Sequence, residues 1–303
     1  MKKLIALALA LALVFSLAAC GSSSATTTTT EDTAAATEAP AATEAPAEET
    51  EEPTEETPEP YELIVFAAAS MTETLTEIKD MYEAENPWVT ITYNFDSSGT
   101  LKTQIEEGAD CDIFISAAQK QMNQLDITAD ASVNTDGLDY VLQGTRINLV
   151  ENKCALAVPE GNPAGVTSYD DLFEKLAAGD VFLAIGNSDV PVGQYTESIF
   201  AYYGVDMDSV ASCLTYGSNV KEVTTAVSEN TADCGIIYGT DAFSAGLEVV
   251  EYATAEMAGG QVVYPAAVLN ITSNEEGAQA FLDYLTTDEC VAVFEAVGFA
   301  MAD

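Results

Sequence analysis

Short apolar runs and amphipathic stretches alternate along the chain from residue 61 onward, and the spacing of apolar positions separates strand from helix. Leu63-Ile64-Val65-Phe66 is an unbroken apolar run of strand length, and Val89 to Phe95 alternates apolar with polar, so both are expected as strands. Between them Met71, Leu75, Ile78 and Tyr82 recur at steps of four, three and four, which lines one face of a helix. Leu101 and Ile105 place a second helix, closed by Gly108. Ile113-Phe114-Ile115 is a further strand, followed by a polar loop region up to the strand Ala155-Leu156-Ala157-Val158 before Pro159. Phe182 to Ile185 and Gly235 to Tyr238 read as strands. Ile199 to Tyr203 lies on a helix ending at Gly204, and Phe281, Leu285, Val291 and Phe294 place two closing helices. Such alternation predicts an α/β fold with mainly parallel sheets and enough chain for two lobes. No internal repeat is visible.

The first sixty residues break this pattern. Lys2 and Lys3 precede an apolar run from Leu4 to Leu17, shorter than the about 20 residues a membrane span needs and of the length of a secretory signal. The run ends in Leu17-Ala18-Ala19-Cys20-Gly21, which resembles the lipobox of bacterial lipoproteins; there the signal is cut before the cysteine and its sulfur takes up a diacylglycerol. Residues 1–19 are thus expected as a lipoprotein signal peptide and Cys20 as the lipid attachment site, a stable anchor with its acyl chains. Residues 21–60 are almost wholly Ser, Thr, Ala, Glu and Pro, too poor in apolar side chains to fold, and are expected as a disordered tether reaching about 35 Å.

Charge narrows the partners. Setting aside the 11 acids between residues 31 and 59, and Lys2 and Lys3, leaves 39 acids against 7 bases, a formal charge of −32 on the folded part. Nucleic acid is repelled by such a surface. A small anion is repelled at long range as well, so a site for one has to work through short-range donors. The chain has no histidine, which excludes Ser-His-Asp and Cys-His catalysis, and it has neither a G-x-x-x-x-G-K loop nor a G-x-G-x-x-G fingerprint in the folded region. No enzymatic activity is expected. Beyond Cys20 five cysteines remain, Cys111, Cys154, Cys213, Cys234 and Cys290; an odd number leaves at least one thiol unpaired, and no C-x-x-C pair occurs. The cluster Asp110-Cys111-Asp112 reads as structural, not as a metal site.

In open α/β sheets ligands sit beyond the carboxyl ends of strands, where helix N-termini point. Each strand-to-helix junction therefore carries candidate donors. Ser70, with Glu73 three residues on, also reads as a helix cap. Asp96-Ser97-Ser98-Gly99-Thr100 enters the Leu101 helix with small residues that let backbone amides approach an anion. Pro191 suits a helix start and leaves the Val192 and Gly193 amides in the unpaired first turn. Asn219 with Glu222 is a capping signal that places the Val220 amide at the first helical position, and Tyr238 brings a phenol to the end of its strand. Together these make a pocket of hydrogen-bond donors, which favours anions.

Val65-Phe66-Ala67-Ala68-Ala69-Ser70, Ser97-Ser98-Gly99-Thr100-Leu101 and Asp112-Ile113-Phe114-Ile115-Ser116-Ala117 resemble, in order, segments of the periplasmic molybdate-binding proteins of ABC transporters. So do Val190-Pro191-Val192-Gly193-Gln194-Tyr195, Gly235-Ile236-Ile237-Tyr238-Gly239-Thr240-Asp241-Ala242, Tyr284-Leu285 and Gly298-Phe299, and the likeness runs across residues 61–303. The resemblance implies a two-lobed type II periplasmic-binding-protein fold, each lobe a mainly parallel sheet flanked by helices. Lobe 1 would be 61–143 plus 262–303, and lobe 2 144–261. It further implies that Ser70 and Ser98 bind the oxyanion by hydroxyl and amide from one lobe. From the other come the amides of Val192 and Val220 and the phenol of Tyr238. Molybdenum would be held only as molybdate through these residues, without a cofactor. The expected ligands are molybdate and then tungstate, with sulfate or another small anion on the same architecture as the alternative. The expected setting is a monomer on the outer face of the cell membrane, serving an ABC permease and its ATPase subunit. Val192 stands where some members have alanine, and Asp96 where some are uncharged; the Asp96 side chain is expected to point to solvent or cap the next helix.

Overall fold

The computed structural model describes residues 59–302; the residues expected as signal peptide, lipid attachment site and tether, up to residue 58, lie outside them. The chain enters β1 (Tyr61–Ala68), turns through a 3-10 turn at Ala69–Met71 and runs back along α1 (Thr72–Glu85). Helix α1 buries Leu75, Ile78 and Tyr82, the stripe that its spacing predicts. Then come β2 (Val89–Asp96), α2 (Ser98–Glu106), β3 (Ile113–Ile115), α3 (Gln119–Leu125) and β4 (Ile147–Asn152). Gly108, just past α2, has φ 92°, a left-handed conformation that suits glycine at a helix end.

The next part of the chain holds β5 (Cys154–Val158), α4 (Tyr169–Ala178), β6 (Leu183–Gly186) and α5 (Pro191–Tyr202). It continues through β7 (Leu214–Gly217), α6 (Val220–Ser228), β8 (Cys234–Tyr238), α7 (Gly239–Ser244) and β9 (Glu248–Tyr252). The chain then returns with β10 (Val262–Val268), α8 (Glu275–Tyr284), α9 (Asp288–Ala296) and β11 (Ala300–Met301).

These strands form two sheets, one in the order β11-β4-β10-β3-β1-β2 and the other β7-β6-β8-β5-β9. Both are mixed, which corrects the expectation of mainly parallel sheets. In the first, β1 runs parallel to β2 and β3, while β10 is antiparallel to β3 and β4, and β11 to β4. In the second, β6 is parallel to β7 and β8, but β5 is antiparallel to β8 and β9. The strands that run against their neighbours are β10 and β11 in the first sheet and β5 in the second; β5 takes the chain into the second sheet and β10 brings it back.

The region expected as a polar loop before Ala155 contains α3 and β4, and β4 pairs in the first sheet. The chain therefore leaves the first sheet at Lys153, ten residues beyond the expected limit at residue 143. All five described cysteines are buried free thiols, so among the described residues no disulfide forms. Asp112 is structural: its Oδ2 accepts the Ile64 N–H at 2.7 Å and its Oδ1 the Thr272 hydroxyl at 2.5 Å. No group of three or more potential metal ligands occurs among the described residues.

Candidate anion-binding site

A small pocket lies where the carboxyl ends of β1, β2 and β8 meet the starts of α2, α5 and α6. Ser70, Ser98, Val220 and Tyr238, four of the five residues expected from the sequence, stand on its wall, together with Asp96, Ser97, Ala117, Val190 and Pro191. Val192 does not. It is the second residue of α5, and its side chain packs into the core, fully buried. Its N–H belongs to the helix's first turn and so has no intrahelical acceptor.

Ser98 opens α2 because Ser97 caps it, accepting the Thr100 N–H on its Oγ at 3.1 Å. The Ser98 hydroxyl is fully buried, and its oxygen accepts the Ala117 N–H at 2.9 Å, which leaves its hydrogen to be donated elsewhere. Ser70 does not form the capping box expected with Glu73: it lies inside the 3-10 turn, and its Oγ sits 2.9 Å from Tyr264 Oη. Asn219 caps α6, accepting the Glu222 N–H at 3.1 Å, while Glu222 Oε2 accepts the Ser218 N–H at 2.7 Å. That cap places Val220 at the first helical position, with a free first-turn amide.

Tyr238 ends β8 at 1% exposure, and among the described residues its hydroxyl has no hydrogen-bond partner. A buried polar group left alone costs about 1–3 kcal/mol, so an unpartnered phenol on a cavity wall marks a place for an acceptor. Burial pushes the Tyr238 phenol well above its ordinary pKa, so it keeps its proton and is a donor. Asp96 differs from expectation. Its carboxylate borders the cavity, and its Oδ1 accepts both the Ser97 N–H at 2.7 Å and, from the other lobe, Asn219 Nδ2 at 3.3 Å. The wall is therefore donor-rich but not free of acceptors.

Contacts across the cleft hold the two sheets' ends together. Lys221 Nζ reaches across to Glu73 at 2.7 Å and, on its own side, to Asp241 at 3.1 Å, and Gln121 donates across to Gln194 at 3.3 Å. At Gly99 the chains come so close that a Cβ would lie 2.2 Å from the Asp189 carbonyl oxygen. Tyr264 and Asn152, which stand behind Ser70, have no signal in the local pattern. They join Ser70 through bonds spanning 194 and 112 residues, and Tyr264 lies on β10, a strand the apolar pattern did not single out.

A family model for bacterial extracellular solute-binding proteins matches residues 63–300. The molybdate-binding protein ModA of Haemophilus influenzae is 32% identical over 243 residues, which cover 79% of this chain and 90% of that protein. Its counterpart in Mycobacterium tuberculosis is 31% identical over 238 residues, 78% of this chain and 84% of that one. Among solved structures, the periplasmic molybdate-binding protein of Azotobacter vinelandii superposes with a TM-score of 0.66 at 20% identity, covering 80% of this chain and 100% of that chain. At that identity the likeness concerns the fold, which is the two-sheet architecture described above.

Proposed function

The chain belongs to the bacterial extracellular solute-binding proteins, and from that premise we propose that it captures molybdate outside the cytoplasm and delivers it to an ABC importer. The observation that carries this reading is the buried, unpartnered Tyr238 phenol on one small cavity wall with Ser70, Ser98 and the first-turn amide of Val220. Hydrogen bonds from neutral donors to an ionised oxygen are about twice as strong as neutral pairs, and a low local dielectric strengthens them further. A dianion can therefore be held without a bound cation. Lys221, the base beside Val220, is committed to Glu73 and Asp241.

Ser70 and Ser98 come from one lobe and Val220 and Tyr238 from the other, so all four are satisfied by one anion only when the cleft is shut. The anion then supplies the differential affinity for the closed form, and the closed form is the one presented to the permease. Val192 contributes its amide from the first turn of α5. Tungstate has the same charge and nearly the same size and is the second proposed cargo. The protein is further proposed to act as a monomer tethered by a diacylglycerol on Cys20, which acyl labelling of that residue tests. No catalytic step is assigned.

Calorimetry with molybdate tests the site. Ser98→Ala and Tyr238→Phe each delete one charge-assisted hydrogen bond, so each is expected to weaken binding by about 10- to 100-fold. Unchanged affinity in both would remove the cavity from consideration.

A further inference from the structure

Ser70 is a donor whose hydrogen is aimed by the residues behind it. Its Oγ and Tyr264 Oη are 2.9 Å apart, a pair in which either oxygen could donate. The neighbours decide which. The Lys153 N–H donates to Asn152 Oδ1 at 2.8 Å, and since a backbone N–H can only donate, the orientation of the Asn152 amide is fixed. Asn152 Nδ2 then faces Thr240 Oγ1 at 2.9 Å and Tyr264 Oη at 3.3 Å, and it too can only donate. Tyr264 Oη accepts from Asn152, and among the described residues Ser70 Oγ is the one acceptor its hydroxyl reaches, so Tyr264 directs its own proton to Ser70. Ser70 Oγ accepts that proton, and the Ser70 hydrogen is left for the cavity on whose wall it stands. Ser98 is polarised the same way by the Ala117 N–H.

We propose that Asn152 and Tyr264 are positioning residues that make Ser70 an obligate donor, and that they thereby favour fully deprotonated oxyanions over those that carry a proton. The proposal rests on the molybdate reading above. Burial keeps the Tyr264 phenol protonated, as the relay requires. Phosphate at neutral pH presents a hydroxyl that needs an acceptor. With Tyr264 donating to its oxygen, Ser70 turns its hydrogen and not a lone pair to the cavity, so the phosphate proton meets a donor there. Molybdate, tungstate and sulfate present acceptors only. Asp96 is a carboxylate on the same wall; it is unchanged in every variant below and so cancels from the comparison.

The test is a double-mutant cycle read as selectivity. Molybdate and inorganic phosphate affinities are measured by competition titration on the wild type, Tyr264→Phe, Ser70→Ala and the double variant. Tyr264→Phe lets the Ser70 hydroxyl turn and offer a lone pair to the cavity, so the molybdate-to-phosphate ratio is expected to narrow about tenfold. In the Ser70→Ala background the same substitution is expected to leave the ratio unchanged, because Tyr264 acts only through that hydroxyl. Asn152→Ala, which lets the Tyr264 proton turn, is expected to narrow the ratio in the same direction and provides a second route to the same answer. Equal weakening of both anions by Tyr264→Phe, or an equal shift in the Ser70→Ala background, overturns the relay and leaves the functional reading intact. A wild type that binds none of molybdate, tungstate and sulfate overturns the functional reading and the relay with it.

Discussion

Asp96 is the single charged residue among the described residues lining the cavity, and its effect on a bound dianion is unfavourable. Two unit charges about 4 Å apart interact by roughly 4 kcal/mol at the effective dielectric of a protein surface, and salt reduces this. Asp96→Asn keeps an oxygen for the Ser97 and Asn219 donors while removing the charge, so molybdate is expected to bind at least several-fold more tightly in calorimetry. A loss of affinity instead would mean that the bond to Asn219 depends on the charge and outweighs the repulsion. Residues at strand ends, such as Ser98 and Tyr238, were legible in the sequence because an apolar run shows where a strand stops. Tyr264 and Asn152 were not, because their roles arise from pairings over 194 and 112 residues. The setting of Tyr264 adds to this. The residue after it, Pro265, argues against a regular ladder, and the strand absorbs that proline at a shift of register between Tyr264 and Pro265.

At the scale of elements, helix starts carry the site, and caps written locally in the sequence fix them: Ser97 for α2 and Asn219 for α6. Those were readable because a cap and its amide lie within three residues of each other. Strand direction was not readable, since four or five apolar residues look alike in a parallel and an antiparallel ladder. The start of α2 also determines how closely the lobes approach, through Gly99 against the Asp189 carbonyl. Gly99→Ala places a methyl group where there is no room, so it is expected to hold the cleft ajar. Molybdate affinity should fall at least tenfold in calorimetry, while the thermal midpoint without ligand falls by little. A large drop in that midpoint with affinity preserved would show that the glycine serves folding and not closure.

Across the whole molecule, Lys221 ties α1 of one lobe to α7 of the other through Glu73 and the fully buried Asp241. Burial lifts the Asp241 carboxyl from 3.8 to about 6, and Lys221 opposes that rise without cancelling it. The folded protein thus holds this proton more tightly than the unfolded chain does. The stability gained is complete below pH about 3.8 and is lost as pH rises through about 6, a change on the order of 3 kcal/mol. Asp241→Asn stays neutral throughout, so its melting temperature relative to wild type is expected to be higher at pH 7.5 than at pH 5. A constant difference between those two melts would show that Asp241 is not the titrating group. Where the chain passes out of the first sheet, a single residue, Lys153, separates β4 from β5. Asn152 sits beside this pivot, with one amide hydrogen-bonded towards Thr240 and Tyr264 on either side of it. The amide that aims Ser70 is thus bonded to both halves of the molecule, so parting them at this point strains the same group that sets the donor.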